Sequence, residues 1–179
     1  MTTMETEKTT LSIMKIKEST TVDGPGLRTS IYCAGCVNAC PGCHNPQTWD
    51  IKAGTEMSID EIMQKIVAED FCNVTFTGGD PMYQALGFAE LASRIKSETS
   101  KNIWCYTGYT YEECLADKDK TQLLALIDVL VDGRFVMGLR NTDLLFRGSA
   151  NQRIIDVRKS MECGDVVLLD PSRGLLPEL

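Results

Sequence analysis

Residues 33–49 read Cys33-Ala-Gly-Cys36-Val-Asn-Ala-Cys40-Pro-Gly-Cys43-His-Asn-Pro-Gln-Thr-Trp49. Half of the chain's eight cysteines fall here, at 33, 36, 40 and 43, while Cys72, Cys105, Cys114 and Cys163 are scattered. Side chains that close together on a short loop cannot all point into a core. Converging thiolates on a loop are instead how proteins hold soft metals.

Spacing alone leaves several readings open. Two Cys-x2-Cys pairs suggest structural zinc, but zinc ribbons usually place roughly 15–20 residues between their pairs, and here only Val37, Asn38 and Ala39 intervene. Cys33, Cys36 and Cys40-Pro41 fit part of a ferredoxin run, although its first cysteine is missing and no second set occurs elsewhere. Cys36, Cys40 and Cys43, spaced C-x3-C-x2-C, fit three ligands to a four-iron cluster, with one iron left for a substrate. Disulfides do not suit a chain that reads as cytosolic.

The third spacing resembles the signature of the radical S-adenosylmethionine (SAM) superfamily. Together with Val22-Asp-Gly-Pro-Gly-Leu-Arg28 upstream and His44-Asn45 after the third cysteine, it resembles the activating enzymes of glycyl radical enzymes. Within them it is most similar to the branch serving anaerobic ribonucleoside-triphosphate reductase. The resemblance runs from about Val22 to Gln152. The neighbouring branch, acting on pyruvate formate-lyase, shares the Asp-Gly-Pro-Gly and Cys-His-Asn segments; short length, Gly78-Gly79-Asp80-Pro81 and Thr107-Gly108-Tyr109 favour the reductase branch.

The resemblance implies a [4Fe-4S] cluster on Cys36, Cys40 and Cys43, with SAM chelating the open iron. Reductive cleavage of SAM would give a 5′-deoxyadenosyl radical that takes hydrogen from a backbone glycine of the reductase large subunit. A low-potential donor such as flavodoxin or ferredoxin would supply the electron. The resemblance places Gly78, Gly79 and Asp80 at the methionine amino group and Gly42, Cys43 and His44 along the adenine. It places Thr107 and Asp132 at the pocket. The superfamily often has an aromatic at the Gly42 position and Glu at the Asp80 position; this chain departs from both. No separate catalytic side chain is expected, because cluster and SAM carry the chemistry.

Cys33 decides between enzyme and electron carrier. A fourth thiolate would close the open iron, and a non-enzymatic carrier would use it. Cys33 lies where the chain still reads as strand, so it is assigned to packing. Cys72, Cys105 and Cys114 have apolar neighbours and read as small core residues.

Outward from this loop, glycine-rich breaks recur after apolar strands. Thr29 to Tyr32 reads as a strand leading into the cysteines. Val74 and Phe76 alternate in a strand that stops at Gly78. Ile103 to Tyr106 precedes Thr107-Gly108, and Val129 to Val131 precedes Asp132-Gly133. Residues 11–17 predict a first edge strand, and Ile154 to Val157 a last one. Ser58 and Glu61 form a capping box before Ile59, Ile62, Met63 and Ile66 at helical spacing. Phe88, Leu91, Ala92 and Ile95 mark a second helix. Thr110 and Glu113 form another capping box, with Leu123, Leu124 and Ile127 supporting a helix before the next strand. Alternating strand and helix predict an α/β domain with a mainly parallel sheet, and the resemblance implies an open βα barrel. Ligands gather at the carboxyl ends of such strands, where the glycine breaks fall.

The 179 residues suit one domain over 1–179, with a core over about 11–160 and a tail over about 161–179. Eighteen Lys and Arg against 25 Asp and Glu give a net charge of −7, which argues against a nucleic-acid partner. Residues 1–10 are polar and charged, without an apolar signal core. No segment is apolar enough to span a membrane. These features predict a cytoplasmic protein.

Overall fold

A computed structural model describes residues 9–174; the expectations for 1–8 and for the end of the tail, 175–179, lie outside the described residues. Seven strands make one sheet: β1 (Thr10–Thr20), β2 (Arg28–Cys33), β3 (Thr55–Ser58), β4 (Asn73–Gly78), β5 (Ile103–Tyr106), β6 (Val129–Asp132) and β7 (Arg153–Asp156). Their spatial order is β3-β1-β2-β4-β5-β6-β7. The central run β2-β4-β5-β6 is parallel, and β1, β3 and β7 pair antiparallel at its margins. The structure is therefore α/β around a parallel centre. Among the described residues no helix is long and apolar enough to cross a membrane.

Side-chain alternation divides the two faces of the sheet. Ile31, Val74, Phe76, Ile103, Cys105, Leu130 and Ile155 join one large core with the helices α1 (Ile59–Ala68), α2 (Ala85–Glu98), α3 (Tyr111–Ala116) and α4 (Lys118–Leu124). The opposite face carries a smaller cluster of Trp104, Val129, Val131 and Ile154. It also presents Arg28, Ser30, Thr75 and Thr77, buried polar side chains of β2 and β4. The helices thus cover one face and leave the other for a polar site.

Both capping boxes form. Ser58 caps α1 with Glu61 reaching back to its N–H, and Thr110 caps α3 with Glu113. The helix expected before β6 is instead two helices. Asp117 ends α3 and begins α4, its Oδ1 accepting from the N–H groups of Asp119 and Lys120, and Ile127 is buried beyond the end of α4. The first strand runs longer than expected and is not at the edge, because β3, too short and polar to stand out in the sequence, pairs outside it. Val157 belongs to a further short helix, α5 (Val157–Cys163), capped by Asp156.

Candidate active site

The parallel strands bring their carboxyl ends together. Cys33 and Gly78 are register partners at the ends of β2 and β4, and Tyr106 pairs with Val131 near the ends of β5 and β6. Gly79 N–H donates to Cys33 O and Asp80 N–H to Gly35 O, each at 2.8 Å. These bonds staple the Gly-Gly-Asp turn to the first residues of the cysteine loop. A Cβ at Gly78 would lie 2.5 Å from Cys33 N, and one at Gly79 2.5 Å from Gly35 O. The missing side chains therefore serve an approach to the protein's own backbone.

The cysteines separate into two kinds. Cys36, Cys40 and Cys43 are half-buried on the loop. Asn45 N–H donates to Cys43 Sγ at 3.4 Å, and Asn38 Nδ2 lies 3.8 Å from Cys36 Sγ. N–H groups beside sulfur at Cys36 and Cys43 suit cluster ligation, although burial outweighs them at Cys36 and pushes its thiol up. Among the described residues no three His, Cys, Asp or Glu side chains are grouped to hold a single metal ion. Cys33 has no exposure and sits in the main core. Burial pushes its thiol well above the ordinary range, so it stays protonated. Cys72, Cys105 and Cys114 are likewise buried, and Cys163 is exposed.

Asp80 is 1% exposed, and its carboxylate is already surrounded by donors. Oδ1 accepts from Met82 N–H at 3.0 Å and Thr107 Oγ1 at 2.8 Å; Oδ2 accepts from Gly108 N–H at 3.0 Å and Asn38 Nδ2 at 2.9 Å. Burial still raises its pKa to about 6. Asp80 and Thr107 thus come together as a fastener between β4, β5 and the cysteine loop, the carboxylate expected at a ligand's amino group being engaged by the chain's own donors.

A cleft of about 390 Å³ opens beside the loop, lined by Cys43, His44, Thr77, Tyr106, Phe135 and Phe146 among others, within the size range of small-molecule sites. Another hollow of the same volume, at Leu11, Tyr83 and Asp117, holds none of the cysteines. The exposed His44 ring meets Phe135 at 5.2 Å between centroids. Gly42 lies against the Met137 methyl. Asp23 closes the cleft from the Asp-Gly-Pro-Gly loop, its carboxylate accepting from Tyr32 Oη at 2.6 Å. That loop is pinned from below by Arg28, which is fully buried and donates to Pro25 O, Val74 O, Thr75 Oγ1 and Asn102 Oδ1. Trp104 lies under its guanidinium, 5.4 Å to the ring centroid.

Asp132 departs from expectation. Its carboxylate accepts from Tyr111 N–H at 2.8 Å and forms an ion pair with Arg153, which also binds Glu112. It anchors the start of α3 and does not line the cleft. Tyr32, Tyr106 and Phe135 were not singled out from the sequence. For Tyr106 the signal was strand alternation, since Trp104 and Tyr106 must oppose Ile103 and Cys105.

A family profile described as "4Fe-4S single cluster domain" matches residues 22–155, spanning the cysteine loop and all four strand ends. The anaerobic ribonucleoside-triphosphate reductase-activating protein of Vibrio cholerae is 39% identical over 142 residues, 74% of this chain and 90% of that protein. The Escherichia coli K12 protein of the same name is 37% identical over 145 residues, covering 76% and 93%. The chain belongs to the anaerobic ribonucleoside-triphosphate reductase-activating protein family. The family reaches a virus, with the phage T4 member 34% identical over 139 residues. The matched span brings an iron–sulfur domain to this fold, and Cys36, Cys40 and Cys43 lie within it.

Proposed function

We propose that this chain is a radical SAM activase that generates a glycyl radical on anaerobic ribonucleoside-triphosphate reductase. The observation that carries the reading is the set of three half-buried thiols at C-x3-C-x2-C spacing beside the strand-end cleft, in a chain whose relatives bear that activating name. A bound [4Fe-4S] cluster would supply the electron for reductive cleavage of SAM. The rest falls to the chain's own groups.

Cys36, Cys40 and Cys43 would hold the cluster, and Cys33, locked in the core, is not available as a fourth thiolate. The Gly78-Gly79 backbone meets the methionine end of SAM. Asp80 and Thr107 act through that backbone by fixing the turn against β5. His44, with Phe135 across it, and Gly42 border the adenine. Thr77 and Tyr106 line the same cleft. The open sheet face acts as the partial barrel that admits the glycine-bearing loop of the reductase. A small low-potential carrier such as flavodoxin or ferredoxin delivers the electron, in an oxygen-free cytoplasm.

Anaerobic reconstitution with iron and sulfide, then assay for 5′-deoxyadenosine and for a glycyl radical signal with and without the reductase, tests this. The expected result is SAM cleavage and a radical that forms only when the reductase is present. Reconstituted protein that leaves SAM intact defeats the reading.

A further inference from the structure

The cleft beside Cys43 holds hydrogen-bonding capacity that the protein does not use. The phenolic oxygen of Tyr106 is sealed from solvent and has no partner among the described residues, and Arg147 Nε is in the same condition. Both residues line the cleft. Tyr32, on the same face of the sheet, makes the contrast, since its hydroxyl is satisfied by Asp23. Buried donors without acceptors destabilise a fold and are rare, so one carried by a side chain that lines a cleft points to an absent acceptor. Burial also pushes the Tyr106 phenol far above its ordinary range, so it keeps its proton and acts as a donor.

The margins of the cleft indicate what brings the acceptor. Val22 lines it and is 63% exposed, Met137 packs on Gly42 and is 53% exposed, and Leu145 lies exposed between the lining residues Leu144 and Phe146. Exposed apolar side chains around a cleft that holds unmet donors suit a polypeptide, whose backbone carbonyls need donors when buried and whose side chains cover the rim.

We propose that Tyr106 donates a hydrogen bond to a backbone carbonyl of the polypeptide loop entering this cleft, as a positioning residue for the protein substrate. The inference rests on the activase reading and names the group that registers the substrate loop.

The test uses reconstituted full-length Tyr106→Phe with the reductase. Removing an orphaned hydroxyl leaves the melting temperature equal to or above wild type. The reductase concentration giving half-maximal glycyl radical rises about two- to tenfold, as expected for one neutral hydrogen bond. The half-saturating SAM concentration shifts by less than that. A reductase dependence that superimposes on wild type overturns the inference, and so does a SAM dependence that shifts as much or more. A lower melting temperature does the same, because it assigns the phenol a structural role. Wild-type protein that cleaves SAM without forming a glycyl radical defeats the activase reading itself, an outcome separable from these three.

Discussion

The hydroxyl of Thr107 sits between the two carboxylate oxygens of Asp80, 2.8 Å from one and 3.1 Å from the other. This contact joins the turn after β4 to the turn after β5. Through Asn38 the same carboxylate reaches the cysteine loop. Three segments that must hold one geometry thus share a single buried acid.

Thr107→Val keeps the shape and removes the hydroxyl. Asp80 loses one donor and Tyr109 N–H loses its 3.1 Å acceptor. The expected loss is about 1–3 kcal/mol of unfolding free energy, measured by urea titration. A variant as stable as wild type removes the fastening role.

Asp80 also sets a pH dependence. Burial raises its carboxyl from the ordinary 3.8 to about 6 in the folded chain. Between about pH 4 and 6 the folded protein keeps a proton that the unfolded chain releases, so this group's contribution to stability falls as pH rises through that window. The size is on the order of 3 kcal/mol. Subtracting the Asp80→Asn stability curve from that of wild type isolates the effect. Parallel curves from pH 4 to 7 contradict it.

Cys33 and Cys36 stand three residues apart and predict opposite outcomes. Cys33→Ala empties a small volume in the core and costs about 1–2 kcal/mol, yet reconstitutes with a full complement of iron. Cys36→Ala, Cys40→Ala and Cys43→Ala each lose the cluster while keeping most of their stability. Iron and sulfide analysis with the visible absorption spectrum decides; cluster loss in Cys33→Ala makes it a ligand.

Arg28 makes no ion pair among the described residues, and its charge is held by carbonyls, a hydroxyl, an amide oxygen and the face of Trp104. Burial lowers its pKa to about 10. Arg28→Met fills the space and leaves these acceptors unpaired, so thermal unfolding records a loss on the order of 3 kcal/mol. The Asp-Gly-Pro-Gly loop should loosen with it, as faster amide exchange over residues 21–27. Unchanged exchange there denies Arg28 its pinning role.

What the sequence revealed was mostly local. Ser58 with Glu61 and Thr110 with Glu113 satisfy backbone donors within one helical turn, so spacing alone locates them. The strand Ile103–Tyr106 was bounded correctly because apolar residues end at a glycine turn. The edge strand Thr55–Ser58 carries no apolar alternation, since its partner rather than its own burial holds it extended. The break at Asp117 depends on one side chain serving two backbone amides, which composition does not show. At the site, the cysteine spacing marked the loop and the resemblance implied its cluster ligands, but the directions of Asp80 and Asp132 follow from which donors the folded sheet brings near them. Tyr106 is an ordinary strand aromatic until the fold leaves its hydroxyl without a partner.

In the proposed activase three thiolates, and not four, hold the cluster, so that one iron can take SAM. Low-temperature electron paramagnetic resonance of the dithionite-reduced, oxygen-free protein, recorded as SAM is added, tests it most directly. The cluster signal should change shape and position saturably as SAM occupies the open iron. A reduced-cluster spectrum that saturating SAM leaves unaltered would contradict the account.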